Sequence, residues 1–296
     1  MSEDDSRWRI KEFAEIVGVP ESTLRAWERR YELLAPQRTA GGFRLYSRGD
    51  ERRIRSMRAH MARGIAAAEA AALALTESDR ELSAPPAATA LIEGLLDAAE
   101  KLDTTRFNAL LDAAFLRGTE IAIDDVILPL LVEIGQRWER AELAVGHEHF
   151  ASHLIERRLL ALAKSWDSGR GPLALLACPS GERHTLGLVC FGLVLAELGW
   201  RIAYLGADTP VDQVAFVGDA IGPEAIVLCA LDPLHLTASA EAIADLGARH
   251  RVILAGTAAT APLSERLGAH LAEGGPTAAA RALADRPARS PSGAGA

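Results

Sequence analysis

The residues best placed to do chemistry are Glu182, His184 and Gly187, within Pro179-Ser180-Gly181-Glu182-Arg183-His184-Thr185-Leu186-Gly187. A short apolar run, Leu173 to Ala177, precedes this stretch, and a helical apolar run, Leu188 to Leu198, follows it. That order predicts strand, loop and helix, with the loop at the carboxyl end of a parallel strand, where open α/β sheets bind ligands. A loop histidine can bind a metal axially through one ring nitrogen. A carboxylate two residues earlier can hold the other ring N–H and fix the tautomer.

The elements that position this loop follow from the rest of the chain. From Leu173 onward, apolar runs at 173–177, 201–205, 225–230 and 251–255, with a weaker one near 269–272, alternate with amphipathic segments. That is the βα repeat of a parallel sheet. Upstream, residues 90–101, 103–117, 119–139 and 146–166 show a helical apolar period, with Asp103 and Thr119 as expected N-caps. These four segments predict a helix bundle. Between the last two, the turn falls near Leu143 to Gly146, so Trp138 just before it and Glu148-His149 just after it are expected side by side.

At the other end, residues 9–17 and 21–30 predict two short helices around Gly18-Val19-Pro20, a helix-turn-helix. Residues 38–46 predict a hairpin in which Gly41-Gly42 supplies positive φ, and 47–74 a helix. The polar, Pro85-Pro86-containing segment 76–89 reads as a linker, and 286–296 as a disordered tail. The 296 residues carry a net charge of −8, unevenly spread. Residues 7–63 hold 14 Lys/Arg against 7 Asp/Glu, a basic head of +7 on a body of −15. That asymmetry fits nucleic-acid contact at one end. Cys178, Cys190 and Cys229 all fall in apolar runs without a CxxC partner and read as buried, reduced thiols of a cytoplasmic protein. The acidic N-terminus predicts no signal peptide, and the longest apolar stretch, 186–196, is too short to span a bilayer.

Thr23-Leu24-Arg25-Ala26-Trp27-Glu28-Arg29-Arg30-Tyr31, followed by the hairpin, resembles the MerR family of winged-helix regulators over about residues 7–75. The resemblance implies a second helix in the major groove of double-stranded operator DNA. By position, Thr23, Arg25 and Glu28 would lie near base edges, and Trp27, Arg30, Arg44 and Tyr46 would touch phosphate or sugar. Trp27 has a core role as its alternative, and Phe43 is expected in the core. An arginine-rich domain that binds protein is the competing reading of the head.

Glu182-x-His184-x-x-Gly187 resembles the Asp-x-His-x-x-Gly motif of cobalamin-binding domains, with Glu for Asp. There the histidine binds cobalt from below and the nucleotide tail threads into the sheet. Cys229-Ala230-Leu231 stands where that family has Ser-x-Leu, and Gly256-Thr257 where it has Gly-Gly. Trp138, then nine residues, then Glu148-His149, resembles the CarH/LitR family of adenosylcobalamin-dependent, light-sensing MerR-type repressors. The likeness runs from about 7 to 285. It implies a multidomain α and α/β chain: a winged helix-turn-helix (1–75), a linker (76–89), a four-helix bundle over the upper corrin face (90–168) and a Rossmann-like cobalamin-binding domain (169–285). Trp138, Glu148, His149, Glu182, His184, Gly187, Cys229 and Gly256 would hold adenosylcobalamin, His184 as the cobalt ligand. It also implies a non-enzymatic repressor, self-associated as a dimer or tetramer in the dark. The family's histidine directly after the tryptophan is Glu139 here, so the resemblance leaves the upper cobalt position after illumination to water or to another imidazole, of which His149, sharing a helix face with His153, is the favoured one. A light-independent sensor of cobalamin or redox state shares His184 and stays open. A corrinoid methyl-transfer subunit and an ordinary drug or metal sensor are the further alternatives.

Overall fold

A computed structural model describes residues 8–38, 42–62, 64–83 and 86–285. The expected tail 286–296 and the wing tip 39–41 lie outside them. The chain divides into two compact units, Met1–Ala84 and Pro85–Ala296.

The first unit contains β1 (Trp8–Arg9), α1 (Ile10–Val17), α2 (Glu21–Tyr31), β2 (Gln37–Arg38), β3 (Arg44–Tyr46), α3 (Arg48–Ala62) and α4 (Ala67–Ser83). The three strands pair antiparallel in the order β1-β3-β2. Gly18 ends α1 in the left-handed conformation, φ +62°, and its N–H reaches Ala14 O. This lets α2 turn back so that Leu24 joins Phe13, Leu33, Ile54 and Met57 in one core. Phe13 and Tyr46, both fully buried, stack at 4.7 Å. Asp50, also buried, accepts the Ala35 N–H and both the N–H and hydroxyl of Ser47, which pins the wing to α3.

Three sequence expectations change here. The single helix over 47–74 is two, because Gly64 at φ +87° interrupts it. The boundary does fall within 76–89, but most of that segment is helical: α4 runs to Ser83 and the next helix begins at Pro86. Phe43 is 56% exposed rather than in the core, with the Arg9 guanidinium 4.9 Å from its ring centroid.

The second unit begins with α5 (Pro86–Glu100), α6 (Thr104–Phe115), α7 (Thr119–Ala122), a π turn (Ile123–Ile127), α8 (Leu128–Glu139) and α9 (Val145–Leu162), closed by a 3₁₀ turn (Ala163–Ser165). Asp103 caps α6 as expected, accepting the Arg106 N–H at 2.9 Å. Thr119 does not cap α7; Gly118 holds that position and the Thr119 hydroxyl bonds Glu197. The third helical segment carries the π turn just ahead of Pro129, which lacks an N–H and crowds the carbonyl four residues back.

The sheet follows: β4 (Leu173–Pro179), β5 (Arg201–Thr209), β6 (Ala225–Cys229), β7 (Val252–Ala255) and β8 (His270–Leu271), all parallel, in the order β5-β4-β6-β7-β8. Helices α10 (Leu186–Glu197), α11 (Val211–Ile221), α12 (Pro233–Ala238), α13 (Ala240–Arg249), α14 (Ala261–Arg266) and α15 (Pro276–Ala284) complete the unit. β4 and β6 are almost continuously apolar because both faces are covered. Leu176, Cys178, Val227 and Cys229 face a core shared with α10 and the bundle, while Leu175, Ala177, Ile226 and Leu228 face α11 and α13. α10 is buried from Leu188 to Leu195, which explains its apolar character all round.

β4 is the first strand and lies between the second, β5, and the third, β6. The order of strand addition therefore reverses at the β4/β6 boundary, the crevice where such sheets hold ligands. Gly256, just past β7, has φ +86°, and a Cβ there would come 2.2 Å from Ala230 O. Gly256→Ala should destabilise the second unit by about 2 kcal/mol or more. Urea unfolding followed by circular dichroism measures this.

Candidate functional site

The loop after β4 is built around one buried carboxylate. Glu182 is 0% exposed. Its Oε1 accepts the His184 N–H at 2.9 Å and the His184 Nδ1 at 2.6 Å. Its Oε2 accepts the Leu231 N–H at 2.7 Å, the Asp232 N–H at 3.4 Å and the His235 Nδ1 at 3.1 Å. Burial by itself raises the carboxyl's pKa. The N–H groups of His184 and Leu231, with the two imidazoles, outweigh it and hold the pKa at about 2. An ionised carboxylate only accepts, so both facing Nδ1 atoms carry their protons. The loop after β5 joins the same knot: Asp208, at φ +49°, accepts the Gly181 N–H at 2.7 Å, and its own N–H reaches Glu182 O.

The His184 side chain is 71% exposed. With Nδ1 held on Glu182, Nε2 is the ring nitrogen left to ligate. A ring held in one tautomer, with the ligating nitrogen opposite a carboxylate, suits an axial metal ligand. Gly187 lies at the start of α10, where an added Cβ would meet nothing within 4 Å. That leaves open space beside the loop. Cys229 ends β6 at 5% exposure. The Cys178 thiol on neighbouring β4 is pushed above its ordinary pKa by the contact with Cys229 and then by burial. Burial pushes Cys190 up to about 12. These are buried thiols, as the apolar runs predict. Gly256 touches Ala230 instead of open space, so its role is close backbone approach. Thr257 donates to Leu231 O at 3.2 Å.

The bundle supplies the residues expected above a ligand. Trp138, 52% exposed, stands at the end of α8, with Glu148 and His149 in the first turns of α9. They share the loop end of the α8–α9 hairpin, as the spacing predicts. Glu148 accepts the Ser152 hydroxyl at 2.8 Å and lies 3.4 Å from His149 Nε2. His149 stacks on His153, with ring centroids 6.5 Å apart. Glu139 is exposed. Further along α9, Glu156 Oε1 accepts the Thr185 hydroxyl at 2.8 Å, so the bundle reaches the His184 loop itself.

Sequence reasoning missed His235, the Leu231 and Asp232 amides and the Glu156–Thr185 pair. Backbone donors leave no trace in side-chain types, and His235 reaches Glu182 only because β6 lies beside β4.

On the first unit, α2 presents Arg25 and Arg30 as exposed cations, Arg25 also 3.3 Å from Glu21. Thr23 is half-buried. Trp27 packs partly on the core. Two expectations fail. Tyr46 is fully buried against Phe13, so it is a core residue with no surface for sugar or phosphate. Glu28 is not free for base edges: it accepts Arg44 Nε at 2.9 Å and the Tyr46 hydroxyl at 3.1 Å. Burial, and then the Glu28 charge, push the Tyr46 phenol up to about 12. The Glu28–Arg44–Tyr46 cluster fixes the second helix to the wing, so the two move as one body.

Residues 8–76 match the MerR HTH family of regulatory proteins, and residues 91–163 match a B12 binding domain. The HTH-type transcriptional repressor CarA of Myxococcus xanthus is 38% identical over 224 residues, covering 74% of this chain and 75% of CarA. The repressor CarH of the same organism is 34% identical over 232 residues, covering 75% of this chain and 78% of CarH. The monomethylamine corrinoid protein of Methanosarcina barkeri superposes with a TM-score of 0.56 at 18% identity, over 67% of this chain and 98% of that one, which shows a shared fold. The relatives matched over most of their length are repressors rather than enzymes. A MerR-type head, a helical B12-binding domain and a five-stranded parallel sheet thus occur in one chain, which belongs to the family of the CarA and CarH transcriptional repressors.

Proposed function

We propose that this repressor holds adenosylcobalamin between the helical bundle and the sheet, binds operator DNA in the dark and releases it on illumination. The observation that carries the reading is the ionised, fully buried Glu182 fixing the tautomer of an exposed His184 at the switch point of the sheet. His184 Nε2 would be the lower axial ligand. Gly187 and Cys229 would border the nucleotide tail, with Gly256 shaping its wall through Ala230. Trp138, Glu148 and His149 would line the upper face. When bound, the cofactor supplies a cobalt–carbon bond that visible light cleaves.

The chain's own residues do the rest. Trp138 would cover the upper ligand and exclude water from it. With Glu139 after Trp138, His149 would be the cap-side imidazole available to the metal. Arg25 and Arg30 meet phosphates or base edges, and Arg44 braces the wing through Glu28. Dark self-association as a dimer or tetramer would join several heads, raising affinity through effective concentration. Reversing such a switch from 1:99 to 99:1 needs about 5.5 kcal/mol of differential binding. A large cofactor buried across two layers can supply that. A light-independent response to cobalamin or redox state is the second reading, favoured by Glu139 alone.

Wild-type protein mixed with adenosylcobalamin should change its absorption spectrum under green light and shift its elution volume. His184→Ala should lose the lower-ligand signature. Identical elution in darkness and light would reject the photoswitch. On DNA, Arg30→Ala should lower the salt slope of operator binding by about one. Tyr46→Phe should leave that slope unchanged and cost about 1 kcal/mol of stability instead. Glu182 has a folded-state pKa below its ordinary value, so its stabilisation is complete above about pH 4.5 and lost as pH falls towards 2. The melting temperatures of wild type and Glu182→Gln should therefore differ most at neutral pH and converge through that window.

A further inference from the structure

We propose that Glu156 is a positioning residue for the lower ligand, coupling the helical cap to the loop that bears His184. The inference rests on the reading of His184 as the cobalt ligand. It starts from a local anomaly. Thr185 follows His184 directly and occupies the N-cap of α10. A threonine there ordinarily accepts an N–H from its own first turn. Thr185 makes no such bond. Its hydroxyl, on a residue only 6% exposed, donates across the layers to Glu156 at 2.8 Å.

The contact joins two rigid parts. α9 runs unbroken from Val145 to Leu162. Glu156 lies eight residues beyond Glu148, about 12 Å of helix rise. One helix therefore carries Glu148 and His149 near its start and the grip on Thr185 further along. On the sheet side, the Tyr204 ring of β5 meets Trp166 edge-on at 5.5 Å. His184 is thus flanked by Glu182, held by the sheet loops, and by Thr185, held by the bundle.

Other side-chain ties between bundle and sheet layer among the described residues lie elsewhere. Thr119 bonds Glu197 at the far end of α10, and Asp124 and Glu120 bond Thr277 and Arg281 of α15. Those ties hold the α7 and π-turn region. Among the described residues, the Glu156–Thr185 side-chain bond is the one at the ligand loop. Displacement of α9 would strain or break it, and by reciprocity, ligation by His184 would favour the position of α9 that keeps it.

Cob(II)inamide, which lacks the cofactor's own nucleotide base, is the probe, because an axial nitrogen splits its electron paramagnetic resonance lines into triplets and only the protein can supply one. Full-length wild type should show the triplet and His184→Ala should not. In Glu156→Ala the triplet fraction should fall and cob(II)inamide affinity should drop about fivefold or more. Glu156→Gln, which can still accept from Thr185, should retain most of both. Thr185→Val should mimic Glu156→Ala, and the double variant should add little to either. Wild-type triplets and affinity in both Glu156→Ala and Thr185→Val would overturn the coupling while leaving the ligand assignment standing. Absence of the triplet from wild type would remove the ligand assignment, and the coupling with it.

Discussion

The site depends on a negative charge that has been taken out of water. A carboxylate at zero exposure is tolerated only when hydrogen bonds replace its hydration. Glu182 obtains them from two imidazoles and from amides on both sides of the switch point. The loop after β4 and the loop after β6 must therefore stay together, and the Asp208 contacts bring in the loop after β5. The same bonds that stabilise the ion decide which nitrogen of His184 carries the proton. Folding and ligand chemistry are here the same set of interactions. Gly181 belongs to it too: it has φ +84°, and a Cβ there would come 3.0 Å from the His235 ring.

The second constraint is the shared core between layers. α10 is packed on one side by β4 and β5 and on the other by the bundle, so its face toward either cannot be polar. The helical cap is consequently not a separate lid on a hinge of loops. It is welded to the sheet by apolar contact, with a few polar ties at the edges. Movement of the cap must slide along this core, which makes the positions of the edge ties decisive for what it transmits.

Much of this was legible in the sequence where a local pattern carries the signal. The β4–loop–α10 order, the Glu182-x-His184 spacing and the α8–α9 hairpin, with Trp138 at the end of one helix and Glu148-His149 in the first turns of the next, all depend on neighbours a few residues apart. What failed depends on distant packing. Tyr46 looks like a surface aromatic in a basic wing, yet stacking on Phe13 makes it core. Phe43 looks like core, yet the alternation of the short β3 strand leaves it outside. Glu28 looks like a base reader until Arg44 and Tyr46 arrive from sixteen and eighteen residues away. The proline-rich stretch after Thr76 reads as a linker by composition, but Pro86 sits at the first position of α5, where the missing N–H costs nothing.

The central claim is that a bound corrinoid uses the imidazole at position 184 and no other group on its lower face. The most direct measurement is a crystal structure of the full chain grown in darkness with adenosylcobalamin. The account predicts cobalt within bonding distance of His184 Nε2, the cofactor's own base displaced into the sheet, and the Glu182 contact to Nδ1 preserved. Cobalt still carrying its own base, or a corrinoid seated away from the β4 and β6 loops, would contradict it.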